Sequence, residues 1–154
     1  MRKFKVSLFG LAAAFSLAAL SGCGKKVPTI WVGNTAATSG AFAGVGVPFN
    51  AALEARLHTY NAAGGFRDHH IKLKHYDDQF TATEGLTLTK RLVEDDKVFA
   101  LVGHFGTPTV GATLEYIKEV GVPMVYAATG INDLYTEAEV GNPIFAVQPI
   151  YRTE

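Results

Sequence analysis

The sequence predicts an α/β fold, a doubly wound and mostly parallel sheet with helices on both faces. Three observations carry the prediction. Short β-rich apolar runs alternate with stretches of helical period from Thr29 to Val147. The run Val98 to Gly103 (VFALVG) is apolar without a break, as expected of a strand covered on both faces. The segments between strands are long enough for right-handed crossovers, and glycine, proline and small hydroxyl residues punctuate them.

Taken in order, Thr29 to Gly33 (TIWVG) reads as the first strand, followed by a loop from Asn34 to Gly46 dense in Gly, Ala, Ser and Thr. Pro48 suits the first turn of a helix whose apolar face is Phe49, Leu53, Leu57 and Tyr60. Asn61 to Gly65 (NAAGG) supplies a glycine stop. Ile71, Leu73 and His75 alternate with Lys72, Lys74 and Tyr76 in a second strand that ends at Asp77-Asp78. A second helix over Thr81 to Asp95 presents Ala82, Leu86, Thr89 and Val93. The third strand, Val98 to Gly103, precedes a third helix over Thr107 to Gly121, marked by Val110, Leu114 and Ile117. Val122 to Tyr126 and Ile144 to Val147 complete five expected strands.

The N-terminus has a different character. Arg2, Lys3 and Lys5 open it, no acidic residue precedes Glu54, and only Ser7, Gly10 and Ser16 interrupt the apolar run from Val6 to Leu20. This is the layout of an export signal, and it is shorter than the roughly 20 residues a spanning helix needs. The run ends in Leu20-Ser21-Gly22-Cys23, which resembles the bacterial lipobox. That resemblance implies removal of residues 1–22 and lipidation of Cys23, with the protein held at the periplasm or the outer face of the cytoplasmic membrane. Residues 23–28 would be a tether. Removal takes three of the 14 basic residues and none of the 14 acidic ones, leaving a net charge of −3. Nothing in this balance suggests a nucleic-acid surface, which would need a basic face. Cys23 is the only cysteine, so no internal disulfide forms and an apolar core must hold the fold.

In a wound sheet, ligands sit beyond the carboxyl ends of the strands. The segments to search are therefore Asn34–Gly46, Asp77–Phe80, His104–Thr109 and Ala127–Asp133. Thr107 with Pro108 reads as an ordinary helix start, a cap by its hydroxyl, and equally as a place where free N–H groups meet an anion. Ala127-Ala128-Thr129-Gly130 offers bare backbone and one hydroxyl, or simply a tight turn. For Asp77 and Asp78 the ordinary reading is that one caps the following helix and the other is solvated, against a metal, acid–base or ribose-binding role. His69 and His70 are expected to face solvent, with no third ligand for a metal. Gly44-Val45-Gly46 lacks the third glycine of a dinucleotide fingerprint, and no hydrolase elbow, zinc-protease or phosphate-loop motif occurs. No cofactor or catalytic residue is implied.

Several stretches, in order, resemble the type I periplasmic binding proteins of the leucine/isoleucine/valine-binding group. They are Thr38-Ser39-Gly40, Asn61-Ala62-Ala63-Gly64-Gly65, Tyr76-Asp77-Asp78-Gln79, Val102-Gly103-His104, Val122-Pro123, Ala127-Ala128-Thr129 and Asp133-Leu134. The resemblance implies that residues 29–154 form the first segment of a Rossmann-like N-terminal lobe, incomplete, with the second lobe beyond Glu154 in a longer product. It implies an ABC importer's solute-binding component, not an enzyme, which closes two lobes on an amino acid or similar solute and delivers it to permease subunits. Thr107 would bind the ligand carboxylate, Phe105 and Gly106 would line the same wall, Ala127 would offer its carbonyl to an ammonium, and Thr129 would engage either charged end. Val45 stands where the branched-chain binders place a tyrosine, so that side of the pocket differs. A ligand sensor of the same fold and a secreted Rossmann-like enzyme are the alternatives.

Overall fold

A computed structural model describes residues 27–136 and 140–153. The expected signal, Cys23 and most of the expected tether lie outside the described residues. Five strands form one sheet: β1 (Thr29–Ala36), β2 (His70–Asp77), β3 (Ala100–Val102), β4 (Met124–Ala127) and β5 (Ile144–Ala146). Their order is β2-β1-β3-β4-β5, and every pairing is parallel. The order reverses between β1 and β3, which makes the carboxyl ends of those two strands the switch point of the sheet.

The helices are α1 (Ala43–Ala62), α2 (Ala82–Glu94), α3 (Thr107–Val120) and the short α4 (Asp133–Thr136). Side chains along a strand alternate between faces. Leu101, Met124 and Ile144, paired across β3, β4 and β5, share one face. There they form the core with Leu92 of α2 and Val110, Leu114 and Ile117 of α3. Helix α1 lies against β1 and β2 on the other face. The next row on that face, Val102, Val125 and Phe145, is only partly covered: Val125 is 42% and Phe145 56% exposed. Phe49, Leu53 and Arg56 of α1 complete an apolar groove of about 470 Å³ beside Val102 and Val125.

The first strand runs three residues beyond the expected Gly33, because the polar residues there are buried and bonded rather than looped out. Asn34 Nδ2 donates to Asn50 Oδ1 at 2.8 Å and to the Gly103 carbonyl at 3.1 Å, joining β1 to α1 and to the end of β3. Pro48 falls inside α1 instead of in its first turn. The helix starts earlier because a 3-10 turn at Gly40–Phe42 feeds directly into Ala43. Gly46 makes that start possible: a Cβ there would stand 1.9 Å from the Ala37 carbonyl oxygen. On α2 the buried positions are Gly85, Thr89 and Leu92, and Ala82 is exposed. The stripe shifts from the expected one because α3 packs directly on Gly85, where a Cβ would meet Thr109 Cγ2 at 2.4 Å. Gly121, at φ 69°, closes α3 in the left-handed conformation its position demands.

Candidate functional site

The carboxyl ends of β1, β3 and β4 are stitched together by backbone hydrogen bonds. Phe105 N–H donates to the Thr35 carbonyl at 3.1 Å, Ala128 N–H to His104 at 2.8 Å and Gly106 N–H to Ala128 at 3.4 Å. Phe105 and Ala128 thereby form a bridge that extends the β3–β4 pairing past the strands themselves. The loops are fixed to the same edge as the sheet.

On this platform Thr107 and Thr129 meet. Their hydroxyl oxygens are 2.9 Å apart. Tyr151 joins them, its hydroxyl 3.1 Å from Thr107 Oγ1 and 3.3 Å from Thr129 Oγ1. The Tyr151 N–H donates to the Gly130 carbonyl at 3.0 Å, and Gln148 Nε2 reaches the phenol at 3.5 Å. Thr129 is fully buried, Thr107 partly so, and Tyr151 is half exposed. Hydrogen bonds from Thr107 first, then Thr129 and the Gly130 backbone, pull the Tyr151 phenol below its usual pKa. Three hydroxyls in mutual contact can each donate or accept, so the group can reorganise around an anionic guest without leaving a buried oxygen unpaired.

Thr107 is not the cap of α3. Gly106, at φ 108°, holds the cap position with no side-chain bond, and Thr107 is the first helical residue followed by Pro108. Its hydroxyl is thus directed across the loop to Thr129. The first N–H groups of α3 have no partner within the helix, which leaves donors beside that hydroxyl. Phe105 is partly buried and Gly106 is buried. Ala127 is fully buried and pairs with Ala146 of β5. It follows an irregularity in β4, where Tyr126 turns at φ 63° and its ring stays 47% exposed. The edge therefore brings Phe105, Gly106, Thr107 and Thr129 into one patch, with Ala127 as part of the strand beneath.

The two aspartates act differently from the expected cap and solvated pair. Asp77 Oδ1 accepts the N–H of Thr38 at 2.9 Å, of Gln79 at 3.1 Å and of Ser39 at 3.3 Å. Burial alone would raise its pKa, but a hydrogen bond from the Ser39 side chain together with these backbone bonds outweighs it and holds the carboxyl low. Asp78 is completely buried, and its Oδ1 accepts the Phe80 N–H at 2.8 Å. Burial raises its pKa despite that bond and the nearby Thr35 and Thr109 hydroxyls. Thr81, at the start of α2, makes no side-chain cap and donates its hydroxyl to the Asp78 carbonyl. Strand β2 ends in two carboxylates because two loops need acceptors there, not because a helix needs a cap.

His104 lies directly under the patch, wholly buried, with Nε2 2.9 Å from Thr89 Oγ1. Burial lowers its pKa to about 3, so the ring is neutral. His69 and His70 are partly buried rather than solvent-facing, and His69 Nδ1 bonds the Arg67 carbonyl at 2.9 Å. Among the described residues no group of three or more His, Cys, Asp or Glu could hold a metal ion. Tyr151 is the site residue that sequence reasoning missed. The signal was available, since it follows β5 and the rule that sites lie past carboxyl ends applies to that strand too.

The sequence and the fold are similar to those of known proteins. The amino acid binding protein of Pseudomonas aeruginosa is 37% identical over 62 residues, which is 40% of this chain and 17% of that protein. A substrate-binding periplasmic protein from Ralstonia solanacearum superposes with a TM-score of 0.70 at 27% identity, over 81% of this chain and 35% of that one. A branched-chain amino acid transporter substrate-binding protein from Streptococcus pneumoniae, solved with isoleucine, gives a TM-score of 0.70 at 24% identity, over 79% of this chain and 34% of that one. The match thus spans about a third of each solved structure. The family described as periplasmic binding protein matches residues 29–154, from the first strand onward, and the chain belongs to that family.

Proposed function

We propose that this chain is the N-terminal, ligand-receiving part of an extracytoplasmic solute-binding component of an ABC importer. Its ligand is an amino acid or a similar small polar solute. The observation that carries the reading is the convergence of the Thr107, Thr129 and Tyr151 hydroxyls at the carboxyl edge of the sheet. A carboxylate set there would accept bonds from the threonine hydroxyls and the first N–H groups of α3, the positive end of a helix. The Ala127 carbonyl would serve an ammonium, and Phe105 and Gly106 would form the adjoining wall. This is a binding role and requires no cofactor.

Residues 29–154 supply one side of a cleft in this reading, and a second lobe of the full-length protein closes on the ligand from the other. Most of a ligand's surface must be buried for useful affinity, which one wall does not achieve. Residues 1–22 act as the export signal, and a lipid on Cys23 holds the protein outside the cytoplasmic membrane, where permease subunits receive the solute. Calorimetric titration of the full-length protein with a panel of amino acids tests the proposal. Saturable one-to-one binding that weakens in Thr107→Ala supports it. A protein that binds no amino acid, or binds equally well without the Thr107 hydroxyl, overturns it.

A further inference from the structure

A line of aromatic rings runs along the same edge as the hydroxyl group. Phe42 stacks on Phe80, with ring centres 3.7 Å apart and planes inclined by 15°. Phe80 lies 6.1 Å from Phe105, and Phe105 lies 5.6 Å from Phe49. These rings come from the 3-10 turn after β1, the turns after β2 and β3, and helix α1. Four separate pieces of chain thus deliver phenylalanines to one place. The line adjoins the hydroxyls directly: Phe80 packs on Gly106 so closely that a Cβ there would be 2.7 Å from Phe80 Cε2. Thr107 is the next residue.

Keeping Phe80 in this position strains the backbone. Gln79 and Phe80 are consecutive residues in the left-handed region, at φ 51° and 61°, which bulky side chains seldom adopt. Asp77 and Asp78 hold both N–H groups and so enforce the turn. Phe42, for its part, remains 43% exposed even while stacked. Core packing needs neither a strained turn nor a ring left in water. Both fit a surface shaped to meet a flat apolar guest, since enforced strain collects at ligand contacts.

We propose that the wall of Phe42, Phe80 and Phe105 receives the planar part of the solute, so that the ligand is a carboxylic acid bearing an aromatic ring. This rests on the reading that Thr107 and Thr129 hold the carboxylate. The hydroxyl end fixes the charged group, and the wall then selects by shape. Phenylalanine rings offer no hydrogen bond but favour offset or edge-on contact with a second ring.

The test is calorimetry on the full-length protein with three probes: L-phenylalanine, benzoate and L-leucine. An aromatic acid is expected to bind about five- to tenfold tighter than leucine, the scale of one ring-on-ring contact. Phe42→Ala changes an exposed position, and an unaltered thermal melt certifies its fold. It should weaken the aromatic probes more than leucine and so erase most of that preference. Thr107→Ala should weaken every probe that binds. Preference for leucine, or equal losses for all probes in Phe42→Ala, overturns the aromatic assignment alone, because Thr107→Ala still reports on the carboxylate. Failure of all three probes to bind overturns the wall and the carboxylate reading together.

Discussion

Asp77 Oδ1 accepts the Thr38 N–H at 2.9 Å, so that the last residue of β2 holds the loop leaving β1, 39 residues earlier in the chain. The same oxygen takes the N–H groups of Ser39 and Gln79. The loop that carries Phe42 is therefore positioned by a charge at the end of a neighbouring strand.

Removing that acceptor should loosen both loops. Asp77→Ala is expected to destabilise the fold by about 1.5–3 kcal/mol, the range for hydrogen bonds to a charged group. Asp77→Asn keeps an oxygen in place and should recover about half of the loss. Urea midpoints of the two variants check this, and equal midpoints for both would mean that the charge, not the acceptor, matters.

Thr107→Ala should weaken ligand binding in the full-length protein by about 1.5–3 kcal/mol, because a hydroxyl facing a carboxylate is lost. Thr129→Val preserves shape and removes only the hydroxyl, and it should show a similar loss by calorimetry. Retained affinity in Thr129→Val would leave Thr107 as the one threonine hydroxyl on the anion, beside the first N–H groups of α3.

Two glycines near the start of α1 should respond with opposite signs. Gly44 has open space around its Cβ direction, so Gly44→Ala should stabilise by about 0.5 kcal/mol through helix propensity. Gly46→Ala forces a methyl into the Ala37 carbonyl and should cost about 2–3 kcal/mol by displacing the helix from the loop. Thermal melts of both variants, run side by side, give the comparison.

Stability should fall with pH because of His104. Its folded pKa is lowered to about 3 by burial, below its unfolded value of 6.5. The unfolded state therefore binds more protons between these values, and the stability present above pH 6.5 is lost as the pH drops towards 3. The slope is at most about 1.4 kcal/mol per pH unit. In His104→Gln the difference in denaturation free energy between pH 7 and pH 5 should shrink by about 2 kcal/mol. An unchanged difference would place the acid sensitivity in other groups.

Cys23→Ser should release the protein from the membrane fraction into the soluble periplasmic fraction. Continued sedimentation with membranes would count against lipid attachment at Cys23. The measurement is fractionation followed by labelling with a radioactive fatty acid.

The strand–helix alternation was legible because buried parallel strands and half-buried helices differ in apolar period. What the pattern could not show is where polar residues are buried. Asn34 and Thr35 read as loop, yet Asn34 finds Asn50 and Gly103 as partners and stays inside β1. Thr107 lies at this edge, but its hydroxyl turns across to Thr129 because Gly106 takes the cap position. The place of Tyr151 after β5 is a sequence signal, but its contact at 3.1 Å with Thr107, 44 positions earlier, is set by the fold. Asp77 and Asp78 were ambiguous because a carboxylate holding loop N–H groups and one capping a helix share a sequence signature. Partnership over long separations, rather than residue type, decided these positions.

The half-covered row of Val102, Val125 and Phe145 has a thermodynamic consequence. A sheet with one oily side partly wet is stabilised by anything that settles on that side and not on the unfolded polymer. Folding of this stretch is then linked to occupancy: measured stability will rise with whatever later sequence, neighbouring molecule or additive lies across those three side chains.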